Sequence, residues 1–242
     1  MKRAGLESGV CFHCSLAASC LPRNLTGADK AVLSEHVAQQ VTRPRRHFCR
    51  AGQPYSGLYI VRTGLVKRYR PLKSSGRNFR EIVVDFPGRG ELVGLEGMGS
   101  GLFDYSAEAL ETCSLCFISR DNLGSLFRLM PDKIRDIIRM SWSLCTSTDY
   151  RSAPRPSEER LALFLLDIAG KRRRSGMSVR RFSLPMKRRE IADHLMIATE
   201  TLSRLLHKLE RNGIVAANGK TVEIIDFDKL KAMTRNAGAG SG

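Results

Sequence analysis

The sequence predicts an α+β protein in three parts: an N-terminal antiparallel β domain, a long helix and a C-terminal helix-turn-helix domain. Three observations predict this order. Short apolar segments separated by glycine extend from about residue 43 to 118, apolar residues recur at helical spacing between 121 and 150, and two short helices with a tight turn follow between 187 and 215. Short strands at such spacing are typical of a small antiparallel barrel or sandwich.

The β domain is predicted from three segments. "GLYIVRTGLVKRYR" (57–70) is two strands around a Thr63-Gly64 turn, and "EIVVDFPGRGELVGL" (81–95) repeats the pattern around a Pro-Gly turn. "SAEALETCSLCFIS" (106–119) supplies two more strands. Ahead of them, residues 27–42 are predicted to form one helix, because their apolar residues are spaced near 3–4.

The long helix begins at Pro131 and carries an apolar stripe near a 3.5–3.6 period. Such a stripe usually packs on its own domain, but a long helix between two domains is also a natural dimer seam. The residues predicted for that seam are Ile134, Ile137, Ile138, Ser141, Leu144 and Cys145.

Composition and charge indicate a nucleic-acid partner. The formal net charge is +16, and residues 151–189 carry twelve Lys or Arg against three acidic residues, so this segment alone supplies +9. Asymmetry on this scale suits a polyanion, although a charge run is more often only a solvated face. No apolar run reaches the ~18 residues that a membrane span needs, and the first twenty residues lack the apolar core of a secretory signal. We therefore expect a cytoplasmic protein with no membrane partner.

The helix-turn-helix is predicted from "KRREIADHLMIATETLSRLLHKLERNGIV" (187–215). Its second helix has one leucine-rich face, and the predicted base-reading residues Glu200, Ser203 and Arg204 are turned away from it. Such a helix enters the major groove, where Arg can bind guanine, Glu can accept from cytosine, and Ser can do either. Contacts to the DNA backbone are predicted for Lys187, Arg188, Thr201 and His207.

Three thiols lie within ten residues at the N-terminus, in "CFHCSLAASC" (11–20). A disulfide staple, a zinc site, iron–sulfur ligation and chance are all open from the spacing alone. The seven cysteines are an odd number, and clustered cysteines in a reducing cytosol bind metal or sense redox state more often than they form structural disulfides. No nucleophile–base–orienter trio is visible among the scattered histidines, so we do not expect an enzyme.

The stretch "EIADHL…ETLSRLLHKLERNGIV" resembles the DNA-binding domain of the CRP/FNR family of transcription regulators, and its Glu200, Ser203 and Arg204 match the oxygen-sensing FNR branch. "GLYIVRTGLVKRY" and "FPGRGELVGLEGMGSG" look like the family's β-roll, a cyclic-nucleotide-binding-like domain. The domains implied are a cysteine-rich segment (1–22), the β-roll sensor (23–120), the dimerisation helix region (121–153), the winged helix-turn-helix (154–235) and a disordered tail (236–242).

The resemblance implies a homodimer on double-stranded DNA, with a palindrome similar to TTGAT-N4-ATCAA, and implies RNA polymerase as a further partner of an activator. It implies a 4Fe–4S cluster on Cys11, Cys14, Cys20 and a fourth cysteine in "ET-x-x-x-C", which selects Cys116. Cluster loss in oxygen would then weaken the dimer. Cys113 lies three residues earlier, and strand alternation points it to the opposite face. The alternative is a zinc- or thiol-redox-regulated family member without the cluster.

Two features depart from the family pattern. The Arg-Ser or Arg-Thr pair that binds the phosphate of cyclic nucleotides is missing before Ser106, so we expect no binding of cyclic AMP. In the helix-turn-helix, Met196 stands where relatives often have a turn glycine, and Ala198 where a capping Ser or Thr is common. Thr199 is expected to take over the cap.

Overall fold

The computed structural model describes Cys11, Cys14 and residues 25–72, 80–146 and 155–234. The chain divides into two compact units, Met1–Cys145 and Thr146–Gly242. The first unit contains two antiparallel sheets with helices, and the second contains helices and a small sheet. The predicted α+β class and its order of parts are confirmed. The predicted tail and most of the linker between the units lie outside the described residues.

Two four-stranded antiparallel sheets form the β-roll of the first unit. The strands are β1 (Ala38–Thr42), β2 (His47–Cys49), β3 (Gly57–Thr63), β4 (Val66–Leu72), β5 (Arg80–Asp85), β6 (Leu92–Val93), β7 (Ser106–Ala109) and β8 (Cys113–Ser119). One sheet has the order β1-β8-β3-β6, and the other has the order β2-β7-β4-β5. The chain therefore crosses between the sheets, and β8 lies between β1 and β3.

The turn between β3 and β4 depends on Gly64. Its φ is +88°, a conformation that residues with a Cβ rarely adopt. A Cβ there would also lie 2.6 Å from Sγ of Cys113 and 2.8 Å from the carbonyl oxygen of Thr112. The predicted Thr63-Gly64 turn is confirmed, and Gly64 allows the strands to pass close to the start of β8.

The predicted helix over 27–42 is wrong in its second half. The helix α1 spans Gly27–His36 and begins with a capping box between Thr26 and Asp29. Residues 38–42 form β1 instead, which pairs along its whole length with β8. Val41, counted as part of a helical face, is 73% exposed on this strand. Pairing with β8 satisfies the backbone of this segment, so tertiary structure overrides the helical spacing.

Among the described residues, the first unit has three further helices: α2 (Gly97–Ser100), α3 (Arg120–Leu129) and α4 (Pro131–Thr146). The helix α3 is capped by Ser119, whose Oγ accepts from the backbone N–H of Asn122 at 3.2 Å. The side-chain amide of Asn122 donates to the carbonyl oxygen of His36 at 2.9 Å, which joins α3 to the end of α1.

The sheet containing β8 has a separate apolar cluster on each face. Leu58, Ile60, Cys116 and Ile118 belong to the cluster that packs against α1, α3 and α4. Tyr59, Val61, Cys113 and Leu115 belong to the other cluster, between the two sheets. Cys113 and Cys116 therefore lie on opposite faces of β8, as strand alternation predicts.

The second unit is a winged helix-turn-helix. Its elements are α5 (Ser157–Arg174), β9 (Arg181–Ser183), α6 (Arg188–His194), α7 (Thr199–Arg211), β10 (Val215–Asn218), β11 (Thr221–Ile224) and α8 (Phe227–Ala232). The three strands pair antiparallel in the order β10-β11-β9. Leu202, Leu206 and Leu209 of α7 are buried in this unit. The predicted helix-turn-helix and the hairpin after it are confirmed.

Within the part of the chain that the structure describes, none of the helices is long and apolar enough to span a bilayer.

Candidate nucleic-acid interface and thiol pocket

The outward face of α7 presents the predicted base-reading side chains. Glu200, Ser203 and Arg204 are exposed, and buried leucines hold the opposite face of the helix. The hydroxyl of Ser203 donates to the carbonyl oxygen of Thr199 at 3.1 Å, and Nη2 of Arg204 donates to Oγ1 of Thr201 at 3.3 Å. Three groups able to bind base edges therefore project from the first two turns of one helix, which is the geometry that a major-groove reader needs.

The residues predicted to contact phosphates differ in their environments. Lys187 and His207 are exposed, and Nδ1 of His207 lies 3.0 Å from Oε2 of Glu210. Arg188 is half-buried, and its Nη2 donates to the carbonyl oxygen of Gly219 at 3.0 Å. Arg188 therefore also fastens the start of α6 to the turn between β10 and β11, so its removal would change more than one phosphate contact.

The turn between α6 and α7 has a strained residue. Met196 has a φ of +54°, and 65% of it is exposed. The left-handed region costs a residue with a Cβ about 1–2 kcal/mol. Met196 therefore stands at the glycine position of the turn and carries strain that its exposed side chain does little to offset.

We expect Met196→Gly to stabilise the helix-turn-helix by about 1 kcal/mol, because glycine adopts this φ freely but orders at a somewhat larger entropy cost. Hydrogen–deuterium exchange of the α6 and α7 amides in the full chain should slow by about fivefold. Met196→Ala removes the same side chain but keeps a Cβ, and should leave the exchange rates nearly unchanged. Equal rates in all three proteins would contradict strain at this position.

The start of α7 has no side-chain cap. Ala198 occupies the N-cap position with extended φ and ψ angles, and no side-chain hydrogen bond satisfies the first turn. The expectation that Thr199 takes over the cap is wrong, because Thr199 is the first residue of the helix itself. Its hydroxyl is one position too late to fold back onto the N2 or N3 amide.

Restoring the cap gives a second stability prediction. Ala198→Ser should raise the free energy of unfolding by about 1 kcal/mol, because the serine oxygen can accept from an unpaired backbone N–H. Urea unfolding followed by far-ultraviolet circular dichroism measures this change. Ala216→Ser introduces the same hydroxyl on the exposed strand β10 and is the matched control. A gain from both substitutions, or from neither, would contradict the capping explanation.

The thiols of Cys11 and Cys116 lie in the apolar cluster on the helix-covered face of the sheet. The backbone N–H of Cys11 donates to Oγ of Ser34 at 3.1 Å, which fastens this residue to α1. Burial, with smaller contributions from electrostatic repulsion by Cys14 and Cys11, raises the pKa of Cys116 to about 12. The three thiols are therefore close enough to interact. Cys20 lies outside the described residues.

The donor chemistry of this pocket suits a thiolate-bound metal group. Cys11 and Cys116 bring soft sulfur ligands into a dry apolar environment, and Cys14 is half-buried beside them. Among the residues that the structure describes, no group of three or more His, Cys, Asp or Glu side chains is placed to hold a metal ion. Cys20, the remaining cysteine of the predicted set, is not among these residues.

The remaining described cysteines are less suited to ligation. Cys49 and Cys113 are buried between the two sheets, and Sγ of Cys113 donates to the carbonyl oxygens of Leu65 and Glu111 at 3.4 and 3.3 Å. Burial raises the pKa of Cys49 to about 12 and that of Cys113 to about 11. Both behave as small buried residues.

Comparison with known proteins identifies the family. Residues 39–129 match the Cyclic nucleotide-binding domain, and residues 159–233 match the Crp-like helix-turn-helix domain. The "Transcriptional activator protein anr" of Pseudomonas aeruginosa is 33% identical to this chain over 96% of each protein. The chain belongs to the CRP/FNR family. It is a transcription regulator with a DNA-binding helix-turn-helix, and CRP/FNR proteins of this kind are not enzymes.

Further CRP/FNR relatives agree. The "Fumarate and nitrate reduction regulatory protein" of Salmonella typhimurium is 31% identical over 93% of this chain and 92% of its own length. Among solved structures, FixK2 from Bradyrhizobium japonicum has the same fold, with a TM-score of 0.67 and 24% identity over 81% of this chain and 96% of that one.

In this CRP/FNR chain, Arg68 of the β-roll is paired with two acidic side chains, Asp85 and Glu96. Arg68 lies on the same face of β4 as the interior residue Val66. Its Nε and Nη2 donate to Asp85 at 2.9 and 2.6 Å, and its Nη1 donates to Glu96 at 3.3 Å. The arginine is thus already bound by two carboxylates, which would repel a phosphate.

The helix α4 of this CRP/FNR chain begins inside the cluster that contains the thiols. Met130 and Ile134 are buried in it, and Ile138 packs against it. Ile134 is only 2% exposed, so it belongs to the core of its own subunit and is not available to a partner. Its prediction as a seam residue is therefore wrong. The side chains of Ile137, Ser141, Leu144 and Cys145 lie outside the described part of the structure.

The sequence did not point to the polar neighbours of the thiols. Gln39 is the cross-strand neighbour of Cys116 on β1, Arg62 of β3 donates to Gln39, and Ser34 binds the backbone of Cys11. From the sequence, strand alternation predicts that Arg62 and Ile60 share a face of β3. The strand order, which the sequence does not reveal, is what brings that face next to Cys116.

Proposed function

We propose that this chain is an oxygen-responsive transcription regulator that binds DNA as a homodimer when a 4Fe–4S cluster is present. Cys11, Cys14, Cys20 and Cys116 would hold the cluster, and the DNA site would resemble TTGAT-N4-ATCAA. Two relatives carry names that fit such a role, a transcriptional activator and a fumarate and nitrate reduction regulator. RNA polymerase would be the partner through which bound dimers act.

One observation carries the proposal: Cys11, Cys116, Met130 and Ile134 belong to a single apolar cluster. Any change in how the N-terminal segment packs on β8 therefore alters contacts at the start of α4. Close-packed cores transmit such changes because they deform little. This gives the chain a physical route from its cysteines to the helix that we propose as the dimer seam.

The cluster, when bound, would supply an oxygen-labile link among four thiolates. The chain's own residues do the rest. Ser34 holds the backbone of Cys11 against α1. Ile137, Ile138, Ser141, Leu144 and Cys145 would form the seam between two copies of α4. Binding of the cluster can shift the equilibrium between monomer and dimer only as far as the cluster stabilises the dimer more than the monomer.

On DNA, each subunit of the dimer would read one half-site. Glu200, Ser203 and Arg204 would contact bases, and Lys187, Arg188, Thr201 and His207 would contact phosphates. Affinity should fall steeply with salt, because released counterions supply much of the binding free energy. The carboxylates that bind Arg68 support the expectation that cyclic AMP is not a ligand.

Titration of labelled duplexes tests this function. Protein reconstituted without oxygen should bind the TTGAT-N4-ATCAA duplex, and the same sample after complete bleaching in air should bind at least about tenfold more weakly. Fluorescence anisotropy measures both states, with a scrambled duplex as the control for non-specific binding. Undiminished binding after complete cluster loss would refute the proposal.

A further inference from the structure

Arg62 of β3 lies next to the face of β8 that carries Cys116. Gln39 of β1 is the direct cross-strand neighbour of Cys116 on one side, and Ile60 of β3 is its neighbour on the other. Nη1 of Arg62 donates to Oε1 of Gln39 at 2.6 Å. Since β8 lies between β1 and β3, this hydrogen bond crosses β8 on the side of Cys116.

The guanidinium of Arg62 lies beside the thiol pocket, because its hydrogen-bond acceptor Gln39 is the direct cross-strand neighbour of Cys116. Nε of Arg62 is itself buried and has no hydrogen-bond partner among the described residues. Arg62 thus brings a permanent positive charge and an unused donor to the solvent-facing edge of the apolar cluster that contains Cys116.

A set of thiolates places considerable negative charge where the surroundings are mainly apolar. Buried charge is costly unless an opposite charge or hydrogen bonds compensate it. Polar groups that surround the ligands of a metal, without binding the metal themselves, commonly change metal affinity by 10–100-fold when they are removed. Gln39 is the described group that fixes the orientation of Arg62 through its side-chain oxygen.

We propose that Arg62, oriented by Gln39, is a positioning residue that compensates the charge of the cysteine ligands and slows the loss of iron from them. This inference rests on the proposed function, because it concerns the same four cysteines. A purely structural role for Arg62 in joining β3 to β1 would need the hydrogen bond but not the charge, so substitutions can separate the two.

The experiment compares full-length proteins reconstituted without oxygen. Arg62→Gln removes the charge, Arg62→Lys keeps it, and Arg43→Gln removes a positive charge from an exposed position in the same unit. Iron and acid-labile sulfide are measured first. The rate of iron transfer to a strong Fe(II) chelator under anoxia is then followed by absorbance, and circular dichroism checks the fold of each variant.

We expect Arg62→Gln to lose iron about tenfold faster than the unmodified protein. Arg62→Lys and Arg43→Gln should stay within about twofold of it, because the local charge is unchanged. Equal rates for Arg62→Gln and the unmodified protein would overturn the inference, as would a loss in Arg62→Lys as fast as that in Arg62→Gln.

Failure of this inference is distinguishable from failure of the proposed function. An unmodified protein without iron would refute the function, whereas an iron-loaded protein whose Arg62→Gln variant is equally stable would refute only the role of Arg62. Should Arg62→Gln not fold, Gln39→Leu takes its place, since it frees the guanidinium without removing the charge. Iron loss must then accelerate measurably, and an unchanged rate would overturn the inference.

Discussion

Replacement of Cys116 by serine should abolish stable cluster binding, leaving less than about a tenth of the iron in anaerobically reconstituted protein. Its thiol lies in the apolar cluster with Cys11, and Cys14 is near enough to affect its pKa. A serine hydroxyl is a hard and scarcely ionised donor, so the proposed set would be reduced to three thiolates. Iron, acid-labile sulfide and the visible spectrum measure the effect.

Cys113→Ser is the matched control, because it makes the same change three residues away on the same strand. Cys113 is buried in the other cluster, between the sheets, and its thiol already donates to backbone carbonyls. It should retain nearly all the iron, with some loss of stability from the altered buried group. Iron loss in Cys113→Ser with retention in Cys116→Ser would show that the ligand face is misassigned.

Replacement of Arg204 by alanine should weaken binding to the TTGAT duplex by about 1–3 kcal/mol, or roughly 5–150-fold. Its guanidinium is exposed on the outer face of α7, where it can bind guanine O6 and N7 with two hydrogen bonds. The loss should concentrate on the guanine of the half-site. A duplex with that guanine replaced by adenine should bind the variant and the unmodified protein almost equally well.

Lys187→Gln is the control for a phosphate contact. Lys187 is the exposed N-cap residue of α6, and its backbone N–H donates to Oε2 of Glu190 at 2.7 Å. This variant should bind all duplexes more weakly by a similar factor. The slope of log affinity against log salt concentration should become shallower by about 1, the contribution of one phosphate contact. Equal losses on cognate and scrambled DNA for Arg204→Ala would mean that Arg204 does not read bases.

Strand alternation predicted the faces of β8 correctly from sequence alone. Cys113 and Cys116 are three residues apart, and a side-chain period of two puts such residues on opposite faces. Both the order of elements and the helix-turn-helix were also predictable, because Leu202, Leu206 and Leu209 recur at the spacing of one helical face.

The errors have a common cause, which is that local spacing does not reveal tertiary partners. Val37 and Val41 fit a helical face, but the backbone after His36 pairs with β8. Ile134 fits the stripe of a dimer seam, but α3 and the sheet bury it within its own subunit. In both cases the apolar spacing was present, but the structure that formed depended on a packing partner distant in sequence.

The polar surroundings of the thiols were the least predictable part. The pairing of Arg62 with Gln39 depends on the strand order β1-β8-β3, and residues 39, 62 and 116 are widely separated along the chain. Met196 shows the opposite case. Its position suggested a missing glycine, and its φ of +54° identifies the strain that follows from it.

Iron and acid-labile sulfide per chain, measured on protein purified and handled without oxygen, test the central claim most directly. We predict about four of each per chain, with a brown colour that bleaches in air as operator binding falls. A colourless, iron-free protein that still occupies its operator fully would contradict the claim that the cysteines at 11, 14, 20 and 116 control DNA binding through a bound cluster.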